Sequence, residues 1–127
     1  MSTLKVASIQ SLASNAVPLI KNSNGVEKGT FANCWLNFNG TGTIAIRDSF
    51  NISSLTDLGT GHYRSNFNIT FANNDYCWTS MIRTNGNGFG AIDAGNLATN
   101  SIETRSYSGS GLVDRNILGG AAFGAIA

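Results

Sequence analysis

The run Ala32-Asn-Cys-Trp-Leu-Asn-Phe-Asn39 alternates strictly: Ala32, Cys34, Leu36 and Phe38 fall on one face, and Asn33, Trp35, Asn37 and Asn39 on the other. Strict period two marks a strand with one face in a core. Asn39-Gly40-Thr41-Gly42 follows, rich in residues that tolerate positive φ and so suited to a reversal. From Thr43 to Arg47 the alternation restarts, with Ile44 and Ile46 expected inward. The stretch therefore predicts a β-hairpin.

Outward from this hairpin the chain keeps the same grammar. Phe50 to Asp57 reads as a strand, with Ile52 on one face and Leu55 on the other, and Gly59-Thr60-Gly61 as a turn. Tyr63, Ser65, Phe67, Ile69 and Phe71 then alternate with His62, Arg64, Asn66, Asn68 and Thr70. One face of that segment is expected in the core and the other wet or against a subunit. Tyr76 to Thr84 reads as a strand through Trp78, Ser80 and Ile82. Asn85 to Gly90 is too rich in glycine for a strand interior and reads as a loop, continuing irregularly to Asn100. Ser101 to Ser108 is a strand alternating Glu103, Arg105 and Tyr107, and a last strand or pair of strands runs from Leu112 to the end. No helical period is sustained. Strands spaced this closely, with Gly/Asn turns, predict an all-β antiparallel β-sandwich of about 7–9 short strands. The uncharged end from Gly119 to Ala127 is expected to be buried, in the domain or between copies.

The stretch WLNFNGTGTIAIRDSFNISSLTDLGTGHYRSNFNITF, Trp35 to Phe71, resembles a module of bacteriophage tail-fibre and related virion proteins. That module reads W-V-N-F-N-G-T-G-T-(V/I)-x-I-R-x-S-x-N-V-S-S-(V/I)-T-D-x-G-T-G-x-Y-x-x-N-F. The match is dense from Trp35 to Phe71 and looser to the C-terminus, and Ser2 to Gln10 resembles the opening of many marine-phage fibre proteins. The resemblance implies a homotrimeric virion protein, assembled in the bacterial host cytoplasm.

Residues 1–30 differ from the module at 31–127. Leu4, Val6 and Ile9 suggest a short strand, and Val17 to Lys21 a second, where Pro18 argues against a central sheet position. Asn22 to Gly25 is a turn. So short a segment buries little alone. Leu4, Val6, Ile9, Leu12, Val17, Leu19 and Ile20 are therefore candidate attachment residues, expected to dock on neighbouring copies or another virion protein.

Composition narrows the function. Only 12% of residues are charged against a usual ~25%, and 16 Asn and 15 Gly stand in their place. A net charge of +1 leaves no electrostatic footprint for nucleic acid or an anionic membrane, and does little to keep copies apart. No run reaches the ~18 apolar residues of a membrane helix, and Gln10 and Asn15 interrupt anything like a signal sequence. Cys34 and Cys77 each precede a Trp in a strand-like run and read as buried free thiols; a pair requires strands that bring them together.

A catalytic constellation is not visible. His62 is the one histidine, with Asp57 five residues earlier, and no nucleophile elbow accompanies them. The carboxylates are scattered rather than paired, and neither zinc nor calcium spacing is present. Arg47-Asp48 reads as a structural charge pair. The expectation is a protein that is no enzyme and needs no cofactor or metal. Binding remains: Tyr76, Tyr107, Asn85, Asn87 and Phe89 are candidate contacts for a host surface glycan or protein. The leading expectation is a trimeric tail-fibre or receptor-binding component docked through its N-terminal segment. The alternatives are a capsid decoration or head-fibre protein, favoured by the lack of any shaft repeat, and a free sugar-binding module.

Overall fold

In a computed structural model, residues 3, 5–10, 17–83 and 91–127 are described, without the side chains of 27, 28 and 91–94. The chain divides into two compact units, Met1–Phe31 and Ala32–Ala127. The described residues are entirely β and coil, in eleven short antiparallel strands forming three sheets.

In the first unit, β1 (Leu19–Lys21) pairs with β2 (Glu27–Thr30). Asn22 builds the turn between them: its Oδ1 accepts from the Asn24 and Val26 amides at 3.1 and 2.9 Å, and Gly25 adopts a φ of 76°. Val17 is half-buried, while Val6, Ile9, Leu19, Ile20, Val26 and Phe31 are all exposed. No strand forms over 5–10, and Leu4 and Leu12 lie outside the described residues. A three-residue and a four-residue strand have too little surface to enclose a core.

The second unit is a sandwich. Its four-stranded sheet runs in the order β4 (Ala45–Phe50), β3 (Cys34–Asn39), β11 (Leu118–Phe123), β7 (Cys77–Ile82). The five-stranded sheet is centred on β9 (Ser101–Ser108). β8 (Ala91–Ala98) pairs with β9, and so does β6 (His62–Phe67), which is followed by β5 (Ile52–Gly59). The short β10 (Gly111–Leu112) extends the end of β9. Cys34, Leu36, Phe38, Leu118 and Ala122 from one sheet meet Ile52, Tyr63, Phe67 and Ile102 from the other. An aromatic cluster closes one end of this core. Phe71 and Tyr76 stack at 4.2 Å, and Phe67 meets both edge-on at 5.7 and 6.0 Å.

The predicted alternation holds from Cys34 to Asn39 but not at its start, where Asn33, expected outward, is buried with its Oδ1 accepting from the Gly124 amide; all five of Tyr63, Ser65, Phe67, Ile69 and Phe71 are buried. Three further expectations need correction. Ile46 is exposed: it sits opposite Phe38, on the core-facing side, but β4 is an edge strand covered on one flank only. Arg47 is the extra residue of a bulge there, and its guanidinium donates to the Asn116 carbonyl at 2.8 Å, whereas Asp48 caps the Ser49 amide. The two therefore form no pair with each other. The segment after Gly90 is not irregular; β8 pairs with β9 around a tight turn, with a register shift between Ala94 and Leu97 that hides the alternation. The uncharged C-terminal run, by contrast, is a strand packed within the domain as expected: it forms β11, a central strand. Glycine is required there, because a Cβ on Gly120 would collide with the Trp78 ring and one on Gly119 with the Leu36 carbonyl.

The thiols also separate. Both cysteines are free; Cys34 is buried and Cys77 is exposed, contrary to the expectation of two buried thiols. β11 lies between their strands, which puts them about two strand spacings apart, roughly 9–10 Å and beyond disulfide reach. Burial pushes the Cys34 thiol up to about 12, outweighing its backbone hydrogen bond with Ala122. A thiolate-selective reagent near pH 8 should modify one thiol per native chain and two after unfolding; rapid modification of both in the native protein contradicts this placement. Phe71→Ala should lower stability by about 3–5 kcal/mol in denaturant unfolding, since it empties the centre of the aromatic cluster.

Candidate functional site

Two outward surfaces of the sandwich carry side chains with chemical potential. The first is the outer face of the five-stranded sheet, where the even-numbered residues of β6 meet the odd-numbered residues of β9. Arg64 lies opposite Glu103 in the ladder. Its Nη2 and Nε donate to Glu103 Oε1 at 2.6 and 3.2 Å, and His62 Nε2 sits 3.0 Å from Oε2. Arg64 first, and His62 second, hold the Glu103 carboxyl below its ordinary value. Both oxygens are thus engaged and the group is a weak base, unsuited to proton abstraction. Asp57 does not face His62; its Oδ1 accepts from the Gly59 amide at 2.9 Å in the turn. This cluster ties β6 to β9 as a cross-strand pair.

The second surface is the outer face of the four-stranded sheet. The parity that puts Cys34 and Leu36 inside turns Trp35 and Asn37 outward. In register across the sheet, Phe50, Trp35, Ala121 and Thr79 form one row, and Asp48, Asn37, Gly119 and Met81 the next. The middle strand contributes only a methyl group and a hydrogen, so the side chains of β3 and β7 stand as two walls above it. A groove of about 370 Å³ results. Its walls are Trp35 and Asn37 on one side and Thr79 and Met81 on the other, over Gly120 and Ala121. Trp35 is 37% exposed, Met81 46% and neighbouring Phe50 45%. Asn37 Oδ1 is buried without a hydrogen-bond partner. Thr79 Oγ1 donates to the Ala121 carbonyl at 3.3 Å. The groove lining carries no charged side chain.

The residues expected to contact a ligand do not gather here. Tyr76 is buried in the core; its hydroxyl donates toward the Ala98 and Ser101 carbonyls at 3.1 and 3.0 Å, and burial pushes its phenol to about 12. Its ring is turned inward from the coil just before β7, stacked on Phe71. Tyr107 is half-buried on the outer face of the other sheet, opposite Leu112 in the ladder. Asn85, Asn87 and Phe89 lie outside the described residues. What the sequence reading passed over is Trp35, an indole at an outward parity with Asn37 two residues on. No group of three or more His, Cys, Asp or Glu that could hold a metal ion occurs among the described residues. Comparison with family models, with curated proteins and with solved structures gives no match for this chain.

Because the folded Glu103 carboxyl is held below its ordinary value of 4.5, its contribution is full above that pH and is lost as pH falls through the folded value. Melting temperature should therefore drop on acidification below about pH 4.5, and Arg64→Ala should flatten that drop. An equally steep decline in Arg64→Ala would place the acid sensitivity elsewhere.

Proposed function

We propose that this chain is a non-enzymatic phage virion protein, a homotrimeric tail-fibre or receptor-binding component attached to the particle through its N-terminal unit. The observation that carries the reading is the asymmetry between the two units. The sandwich encloses its own core. The first unit does not, for it leaves Val6, Ile9, Leu19, Ile20, Val26 and Phe31 about half exposed or more. Fully burying a large apolar side chain is worth ~1.5–3 kcal/mol, and ordering the backbone costs ~1–2 kcal/mol per residue. A short hairpin with these side chains in water gains little from its own fold, and gains much by adding to a surface that already exists. An antiparallel pair with exposed edges is suited to extending a partner's sheet. The resemblance of Trp35 to Phe71 to virion fibre modules is what supports a virion protein as that partner.

The engaged Glu103 agrees with a binding or scaffolding role. Low net charge agrees with packed copies. Light scattering coupled to size exclusion should give a trimer mass at micromolar concentration. A chain lacking residues 1–31 should stay folded and trimeric yet fail to enter particles. Normal incorporation of the truncated chain would place the anchor in the sandwich. Localisation on the capsid lattice, rather than the tail, would make it a decoration protein instead.

A further inference from the structure

We propose that Asn24 is a self-modifying site: its side-chain amide condenses with the Gly25 backbone nitrogen, and the residue converts to isoaspartate while the sandwich stays folded. The inference concerns the first unit alone and holds whatever that unit docks on.

Asn-Gly is the sequence in which this chemistry runs most readily, because glycine has no Cβ to obstruct its own nitrogen. Among the described residues the pair occurs at 24–25 and at 39–40. The only co-reactant is water. The Gly25 N–H gives its proton to a solvent base, and the nitrogen attacks Asn24 Cγ. A new Cγ–N bond forms, the Cγ–Nδ2 bond breaks, and ammonia leaves behind a cyclic imide. Water then opens the ring at either carbonyl, giving aspartate or isoaspartate; nothing is oxidised or reduced. Nucleophile and carbonyl belong to adjacent residues, so the rate depends on how often both are free to meet.

The fold sets the two pairs apart. Asn24 is exposed, and among the described residues its side-chain amide has no hydrogen-bond partner. A Cβ on Gly25 would meet nothing within 4 Å, so the nitrogen is open to water. One contact opposes the attack: the Gly25 amide donates to the Asn22 carbonyl at 3.0 Å. That bond closes a turn between strands of three and four residues, whose register slips between Ile20 and Lys21. A two-stranded hairpin is marginally stable in water, so local opening of the first unit frees the amide.

Asn39 is held at every atom the reaction uses. Its Nδ2 donates to the Thr41 and Thr43 carbonyls at 2.8 and 3.4 Å, and its Oδ1 accepts from the Thr41 hydroxyl at 2.8 Å. The Gly40 amide donates to the Arg115 carbonyl at 2.8 Å. A Cβ on Gly40 would sit 2.6 Å from the Tyr63 hydroxyl and 2.9 Å from the Leu118 side chain, both of them core residues. Freeing Asn39 therefore requires opening the sandwich itself.

The product also changes the backbone. Isoaspartate carries the chain through Cβ, which lengthens the path from residue 24 to Gly25. Asn22 Oδ1 accepts from the Asn24 and Val26 amides, and the Asn22 amide donates to the Val26 carbonyl at 2.9 Å. These bonds match the shorter path, so the conversion separates β1 from β2.

The test ages the full chain in mildly alkaline buffer, with and without denaturant. Peptide mass mapping then distinguishes asparagine, aspartate and isoaspartate at each position. In native protein Asn24 should convert at least about tenfold faster than Asn39, and in denaturant the two rates should come together. Asn24→Gln, which would have to close a larger and slower-forming ring, should stay unmodified at that position. Hydrogen exchange at the Asn22 amide should quicken in the isolated isoaspartyl fraction. In Asn24→Asp, which has the charge without the longer backbone, it should keep the parent's rate. The proposal fails if native Asn39 keeps pace with Asn24, or if Asn24 converts only in denaturant, since either result shows that local opening does not select the site. It fails equally if the isoaspartyl fraction exchanges at the parent's rate, because the turn would then tolerate the longer path.

Discussion

A single residue carries the chain from one sheet of the sandwich to the other. β4 ends at Phe50 in the four-stranded sheet, β5 begins at Ile52 in the five-stranded sheet, and only Asn51 lies between them. Asn51 takes a φ of 57°, the left-handed region in which asparagine is among the few tolerated side chains. A backbone leaving a ladder this abruptly strands its polar groups, and at this corner amides replace the lost partners. Asn51 Nδ2 donates to the Asn33 carbonyl at 2.7 Å, and the Asn51 carbonyl accepts from the Asn68 amide at 2.9 Å. Asn68 Nδ2 reaches the Ile52 carbonyl at 3.2 Å, and Asn33 Oδ1 accepts from the Gly124 amide at 2.9 Å. Ile52 enters the core immediately after the corner. The corner thereby fixes which face of each sheet looks inward.

The composition follows from that architecture. A small sandwich has many reversals and sheet changes per residue, and asparagine and glycine satisfy them locally where lysine and glutamate cannot. Gly61 is a second instance. It has a φ of 62°, its amide donates to Asp114 Oδ1 at 2.7 Å, and a Cβ would press on the Val113 amide nitrogen at 2.6 Å. Asp114 also reaches the Tyr63 hydroxyl at 2.7 Å, and the Gly40 carbonyl lies at the same distance from that oxygen. Two loops distant in sequence are thus joined through one buried ring. Arg64 and Glu103 use charge for structure as well, pairing across β6 and β9.

The two outer faces consequently differ in kind. One is closed by ion pairing, which engages both oxygens of its Glu103 carboxylate. The other is uncharged along its groove, has an open aromatic wall and holds an unpaired amide oxygen.

Local sequence determined a good deal. The alternation from Cys34 to Asn39 and from Tyr63 to Phe71 decided which side chains are core, because a strand's two faces are a property of neighbours in sequence. The turns at Asn22 and Gly61 were likewise written in residues that tolerate their φ. What lay beyond the sequence depends on partners far along the chain. β8 was hidden because its alternation breaks at a register shift that only pairing with β9 reveals. Ile46 is exposed because β4 has a neighbour on one side only, and a strand's place in a sheet is not a local quantity. The groove was invisible for the same reason. Trp35, Ala121 and Thr79 are separated by long stretches of chain, and become one surface only when β11 inserts between β3 and β7.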